Sequence, residues 1–524
     1  SPAATSGDVF GIGPLHDSSS GDSLSVLRDW MAECISNHSC GCPNGGASRE
    51  DETANPALPT RILDISTDSS GSMTVRLVES HKIRGRYAAL SHCWGPPDKQ
   101  PLRTTKALYG QHLIGIPVSD LPKTFQEAAR IAQATGLRYL WIDSLCIIQD
   151  DRDDWNREAP RMGPLYGKAS LVIAASGATN STEGCFVPRS LPGRSLRIPY
   201  PSAGGGGHIV LQVRPPYAAA MNPVFSPLGR RGWVLQEWML ARRLVHYTAA
   251  GMTWSCKEVQ NMVEDGLHMT TTTPGGDELN WDDIIEAYTT RQLTLLSDKT
   301  VAVQGLAEAM QRPDATYHHG MWTSDMPQQL FWIGTHTTRP EELRDFPSWS
   351  WASTDGRCLT LSQRKLSWET LPAVLEVEGD GRELAVSCRA RRCSLKQWQE
   401  FSHRAVTEPP LARAAAAGSI MQTLPIHYTG KMTHSMLDDD TGAVVGIAML
   451  DDVDAAGECV QDCVSAFLMK EVRQNNSQTE QAGLTSCSLV LQSVGPGVHR
   501  RLGVGFVVDE DWVQGAIKQA LRIV

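Results

Sequence analysis

At 524 residues and 57.2 kDa the chain exceeds what one hydrophobic core usually supports, and 41% hydrophobic with 20% charged residues excludes wholesale disorder and a fibrous fold. A formal net charge of -10, with no basic run longer than clusters such as RARR at 389–392, argues against nucleic acid as a partner. No apolar run reaches the roughly 18–20 residues of a membrane span.

The opening SPAATSGDVFGIG has neither a basic nor an apolar signal region, so a cytoplasmic setting is expected. The 13 cysteines, odd in number and scattered, fit reduced thiols there. Residues 1–60 read as linker around one helix, SLSVLRDWMAECI. At its end CISNHSCGC brings Cys34, His38, Cys40 and Cys42 into nine residues. Such donors suggest zinc, yet one zinc usually draws ligands from two separated knuckles. A reduced thiol cluster is the competing reading, and no cofactor is expected.

From residue 80 the pattern becomes regular. RYAALSHCW predicts a strand over 86–92. LPKTFQEAARIAQATG predicts a helix, with Pro122 in its first turn, Phe125, Ala128, Ala129 and Ala132 along one face, and Gly136 to close it. RYLWID and SLVIAAS (170–176) read as further strands. Strand, helix, strand at this spacing is a βαβ unit with parallel strands. Ligands of such sheets bind beyond the strand carboxyl ends. Ser91, His92, Cys93 and Trp94 should therefore share one edge with Asp143, Ser144, Cys146 and Gln149. A thiolate, an imidazole base and an orienting carboxylate could together do nucleophilic chemistry. The alternative is two small buried thiols and a satisfied histidine.

The carboxylates of Asp150, Asp151, Asp153 and Asp154 read as a solvated helix start. Pro160, Gly163, Pro164 and Gly167 predict a broken helix between Trp155 and Ala169. HIVLQV, RRLVHY and MTWSC read as strands. RRGWVLQEWMLARRLVHY sets Arg231, Gln236 and Glu237 around Trp233; a carboxylate in such surroundings can work as a general acid or base, and an Arg–Glu ion pair capping a helix is the alternative. NWDDIIEAYTTRQLTLLSDKTVAVQGLAEAMQ predicts a helical hairpin. PSWSWASTDG (347–356) predicts a strand with Trp349 and Trp351 on one face. From 357 onward, runs such as VVGIAML and SLVLQSV predict a separate β lobe. No Walker loop, G-x-G-x-x-G after a strand or H-E-x-x-H occurs, so those chemistries are not indicated.

YAALSHCWG, LPKTFQEAARIAQATGLRYLWIDSLCIIQDDRDDW and LYGKASLVIAASGATNSTEGCF resemble, in order, the heterokaryon incompatibility (HET) domain of filamentous fungi. RGWVLQEWML, YTTRQLT and PSWSWASTDG extend the resemblance over about residues 25–356, with His92 where the family often has Tyr. It implies an α/β fold: a parallel-sheet, TIR/flavodoxin-like βαβ core with a helical insert (61–356), an N-terminal helix and linker (1–60) and a mostly β C-terminal lobe (357–524). It also implies a part in programmed cell death. Because some TIR domains cleave NAD, it extends to nucleotide glycosidic cleavage.

Together with the residue reading, this gives a small-molecule site. Asp143 or Glu237 would be the acid/base, His92 a proton shuttle and Cys146 a nucleophile. Ser91, Cys93, Trp94, Gln149, Trp233 and Gln236 would bind substrate. Two other readings stand beside it: an enzyme of secondary metabolism, and a non-catalytic signalling module that self-associates into homo-oligomers.

Overall fold

The computed structural model describes residues 17–38, 40, 55–81, 83–186, 188, 195–202, 205–212, 222–249, 251–259, 262–263, 280–310, 312–360, 368–397, 433–452, 459–471, 486–507 and 509–524. Two compact units emerge: Ser1–Gly275 with Val301–Met310, and Gly276–Thr300 with Gln311–Val524. This division falls earlier than the 356/357 boundary and places PSWSWASTDG in the second unit. Among the described residues no helix is long and apolar enough to cross a membrane.

The first unit is built on an eight-stranded sheet. Its strands are β1 (Arg61–Thr67), β2 (Met73–Glu79), β3 (Tyr87–Ser91), β4 (Tyr139–Trp141), β5 (Leu171–Ala174), β8 (Arg243–Thr248), β9 (Gly251–Cys256) and β10 (Met262–Val263), in the order β10-β9-β8-β5-β3-β4-β1-β2. β6 (Ser195–Ser202) and β7 (Gly205–Gln212) form a separate hairpin. The central strands β8, β5, β3 and β4 are parallel, and those at either side pair antiparallel, so the sheet is mixed where a parallel one was expected. Every residue of β3 and β5 is buried, as continuously apolar central strands should be. β3 lies between β4 and β5, so successive crossovers leave it in opposite directions. Its carboxyl end is the topological switch point, where ligands of open α/β sheets bind.

Among the described residues before Gly275, the helices of this unit are α1 (Gly21–Asn37), α2 (Tyr109–Ile114), α3 (Lys123–Ala134), α4 (Asp143–Cys146), α5 (Arg152–Glu158), α6 (Met162–Lys168) and α7 (Val234–Leu240). α3 buries Phe125, Ala128, Ala129 and Ala132, and Gly136 follows it at φ 74°, as the sequence periodicity requires. The expected break after Glu158 is a 3-10 turn, Ala159–Arg161, between α5 and α6.

The predicted hairpin does not form as one. Its helices, α8 (Trp281–Thr289) and α9 (Val301–Met310), belong to different units. α9 packs on α6 and α7 because glycines meet there. A Cβ on Gly163 would stand 2.7 Å from Gly305 Cα, and one on Gly305 would stand 2.7 Å from Gln236 Oε1. Gly163 thus serves a close helix approach as well as weakening the helix.

In the second unit, β11 (Tyr317–His318) pairs with β12 (Met321–Trp322), and β13 (Ile333–Thr338) with β14 (Asp355–Leu359). In PSWSWASTDG the tryptophans are not on a strand: Trp351–Ser353 form a 3-10 turn with hydrogen bonds inside the motif, and only Asp355 and Gly356 open β14. Trp281, Trp332, Trp349 and Trp351 are buried here, each with its indole N–H donating to a carbonyl: Gly320 for Trp281 and Trp351, Trp349 for Trp332, and Arg382 for Trp349. These four are among the 15 tryptophans of the chain, and each pairs a large buried ring with a satisfied N–H.

Beyond them lies the expected β lobe. It consists of β15 (Trp368–Thr370), β16 (Val374–Glu378), β17 (Glu383–Gln397), β18 (Thr433–Asp438), β19 (Val444–Leu450), β20 (Cys459–Glu471), β21 (Ser486–Gly495), β22 (Val498–Val507), the short α10 (Glu510–Gln514) and β23 (Ile517–Ile523). Pairing runs β17-β20-β21-β22-β19-β18 and returns to β17, so six strands close into a barrel and leave no edge among themselves.

Candidate functional site at the strand ends

The backbone dictates where the site forms. β3 ends at Ser91, and His92 follows it out of the sheet. β4 ends at Trp141, and α4 starts at Asp143. The parallel register Ala89 with Trp141 therefore brings the two exits together, as the βαβ reading expects. His92 Nδ1 stands 3.8 Å from Asp143 Oδ1. Asp143 is held from both sides: Trp94 Nε1 donates to Oδ2 at 2.8 Å, and the backbone N–H of Ser144 donates to Oδ1 at 2.7 Å. Its side chain keeps 19% of its surface exposed, which makes it the wet margin of the group.

Glu237 joins from α7, with its side chain buried. Burial pushes its pKa up to about 7; the Arg231 guanidinium and the Ser91 and Tyr166 hydroxyls nearby oppose the rise, and the Asp143 charge adds to it. Arg231 Nη1 donates to the His92 carbonyl and so ties the start of this segment to the end of β3. Tyr166 Oη donates to Leu90 O at 3.0 Å, and Tyr87 Oη to Leu165 O at 2.6 Å, which fastens α6 across β3. Burial also depresses His92 to about 4, against the Asp143 charge, so its imidazole is neutral at ordinary pH. Its ring packs edge-on to Phe125 at 5.0 Å.

Four polar atoms, Ser91 Oγ, His92 Nε2, Gln236 Nε2 and Glu237 Oε2, are buried and reach no partner at full hydrogen-bond geometry among the described residues, although the Ser91 hydroxyl stands near enough to the Glu237 carboxyl to favour its charged form. Buried polar atoms are nearly always paired, and each orphan costs about 1–3 kcal/mol. Three of them, Ser91 Oγ, His92 Nε2 and Glu237 Oε2, belong to the end of β3 and its neighbour α7, whereas Gln236 lies against Gly305 at the contact of α6 and α9.

The other expected site residues have structural surroundings. The Cys146 thiol is buried in the hydrophobic core and pushed up to about 12, mainly by burial; that of Cys93 is pushed up to about 11 for the same reason. Both are protonated packing thiols at neutral pH. Gln149 donates to the carbonyls of Asp143 (3.1 Å) and Ile147 (3.0 Å) and so braces α4. Trp233 precedes α7 and packs on the core.

The acidic run does begin α5, with Asp151 as its cap, but Asp154 is not solvated. It is buried, and accepts from Arg61, from Arg157 at 2.9 Å and from the Ile148 N–H at 2.9 Å. Those donors make burial of a carboxylate tolerable.

Of the four N-terminal zinc candidates, Cys42 lies outside the described residues, whereas Cys34, His38 and Cys40 converge and are joined by Cys256. Sequence reading missed Cys256. The rule that a zinc takes ligands from separated segments was the signal that could have prompted a search for it. In the second unit a cleft of about 440 Å³ includes Arg291, Asp355 and Arg357, but it lacks the buried acid and orphaned atoms found at the strand ends.

The first unit is thus a mixed α/β sheet with a buried carboxyl close to its switch point. Residues 87–237 match the family model described as Heterokaryon incompatibility protein (HET). The match starts at the first residue of β3 and ends on Glu237, so it spans every element that supplies the strand-end group. Comparison with curated proteins and with solved structures gives no match.

Proposed function

We propose that this protein acts in fungal self/non-self recognition or death signalling through small-molecule chemistry at the strand ends, with Glu237 as the acid/base group. One observation carries the reading: a buried carboxyl poised at about 7 sits in the matched segment beside orphaned polar atoms of Ser91 and His92. An acid with its pKa near the working pH is best placed both to give and to take a proton. Asp143 would hold and polarise the ligand at the wet margin. His92, neutral, would be a hydrogen-bonding wall rather than a proton shuttle. Cys146 would have no chemical part.

Hydrolysis of a glycosidic bond, with NAD as the first substrate to try, suits this arrangement. The C1′–N bond would break with its electron pair passing to the nicotinamide ring nitrogen. Water would add at C1′ and give its proton to the Glu237 carboxylate. The test is nicotinamide release by the full chain and by Glu237→Gln, Asp143→Asn and Cys146→Ala. Loss of at least about a hundredfold in the first two, with Cys146→Ala near wild type, is expected. Turnover surviving in Glu237→Gln would refute the assignment. Concentration-dependent oligomers without turnover of NAD or other glycosides would favour the non-catalytic signalling module.

A further inference from the structure

We infer that Cys34, His38, Cys40 and Cys256 form a structural zinc site that fastens the N-terminal helix to the end of β9, the strand next to the edge of the sheet. Cys34 lies in the last turn of α1 and His38 caps it, with the His38 N–H bonded to the Cys34 carbonyl at 3.2 Å. Two donors four residues apart at a helix end thus face the same way, and Cys40 follows them. Cys256 is the last residue of β9 and comes from the other side of the sequence, 218 residues beyond His38.

The donor atoms of all four residues lie within 4.8 Å of one another. Cys34 Sγ and Cys40 Sγ are 3.4 Å apart, as are His38 Nδ1 and Cys256 Sγ. A tetrahedral zinc with bonds of about 2.3 Å to sulfur and 2.0–2.1 Å to nitrogen holds its ligands about 3.5–3.8 Å apart, so these spacings bracket what the metal demands. Cys34, Cys40 and Cys256 are buried and His38 is half-buried.

The surroundings suit thiolates. Arg243 Nε donates to Cys34 Sγ at 3.2 Å, and the Val259 N–H donates to Cys256 Sγ at 3.3 Å. Such N–H donors outside the ligand set orient metal-bound sulfur and moderate its charge. Three thiolates on a dication leave one negative charge, and buried Arg243 beside Cys34 balances it. With three sulfurs and one imidazole the coordination is complete and no position stays open for substrate, so the role is structural. The ring contact of Trp30 on α1 with Trp254 on β9, 6.2 Å between centroids, lies along the same join.

The full chain, expressed with added Zn²⁺ and purified without chelator, should carry about one zinc per molecule by elemental analysis. Cys256→Ser should lose it, whereas Cys185→Ser, which alters a buried thiol outside the group, should keep it. To separate loss of metal from loss of fold in Cys256→Ser, the wild-type protein reloaded with Co²⁺ gives an independent reading. It should show tetrahedral d–d bands and thiolate-to-cobalt charge transfer, and His38→Cys should shift those bands while retaining the metal. A folded wild-type chain that binds neither ion would overturn the assignment. So would recovery of Cys34 and Cys40 as a disulfide-linked peptide, or zinc that persists in a folded Cys256→Ser variant.

Discussion

Two buried polar groups in this protein make opposite use of the same chemistry. In the second unit, fully buried Arg501 has its donors matched: Nε and Nη2 bind Asp451 at 2.7 and 3.1 Å, Nη2 also reaches Trp332 O at 2.6 Å, and Nη1 reaches Leu330 O. Its guanidinium also lies 3.7 Å from the Trp332 ring centroid. At the strand ends of the first unit, Glu237 is just as buried but leaves Oε2 unpaired, beside the unpaired Nε2 of His92 and Oγ of Ser91. A satisfied network specifies a structure, whereas an unsatisfied one stores a cost that a bound molecule can relieve.

The largest expected effect is on the satisfied side. Asp451→Ala would strand the Arg501 charge in the core, and breaking a buried pair from one side costs about 3–5 kcal/mol. Urea unfolding should show that loss. Replacing both residues together, Asp451→Leu with Arg501→Met, should restore much of it. If Asp451→Ala costs no more than an ordinary surface change, the contrast between the two groups fails.

Glu237→Gln should act in the opposite direction, and with a pH dependence. The carboxyl has a folded pKa of about 7, raised from 4.5, so the native state holds its proton more tightly than the unfolded chain. Its contribution to stability is fully present below about 4.5 and falls as pH rises through 7. The shift corresponds to about 3 kcal/mol, and Glu237→Gln, which cannot ionise, should escape that loss. The stability of the variant relative to wild type should therefore climb between pH 4.5 and 8. Calorimetry across that range reads the slope, and a flat difference would mean that Glu237 is not held as an acid.

How far the sequence reveals this contrast depends on range. β3, α3 and β4 are legible because short apolar runs, the Phe125 to Ala132 helical face and the Gly136 stop are local signals. The meeting of His92 with Asp143 follows from them, since parallel strands must end at the same edge. What is not legible comes from partners far along the chain. Asp154 looks like any helix-start carboxylate until Arg61 reaches it from β1. Cys256 is an ordinary strand cysteine until α1 arrives, and the closure of β17 on β20 is written in no single strand. The hairpin expectation failed for the same reason: both helices were readable, but not the glycine contact that commits α9 to α6.

The smallest effect tests the margin between the two regimes. Asp143 is neither fully satisfied nor orphaned: Trp94 and the Ser144 N–H hold its oxygens, while part of the carboxylate meets water. Trp94→Phe keeps the ring packing and deletes only the 2.8 Å indole bond. Because water can reach Asp143 and replace that donor, the stability loss should be about 0.5–1 kcal/mol rather than the several expected for a sealed charge. Any function that relies on Asp143 pointing at a ligand should suffer more than this, through weaker binding with the proton-transfer pKa unchanged. A stability loss as large as that of Asp451→Ala would place Asp143 with the sealed structural networks and leave Glu237 as the lone carboxylate of the site.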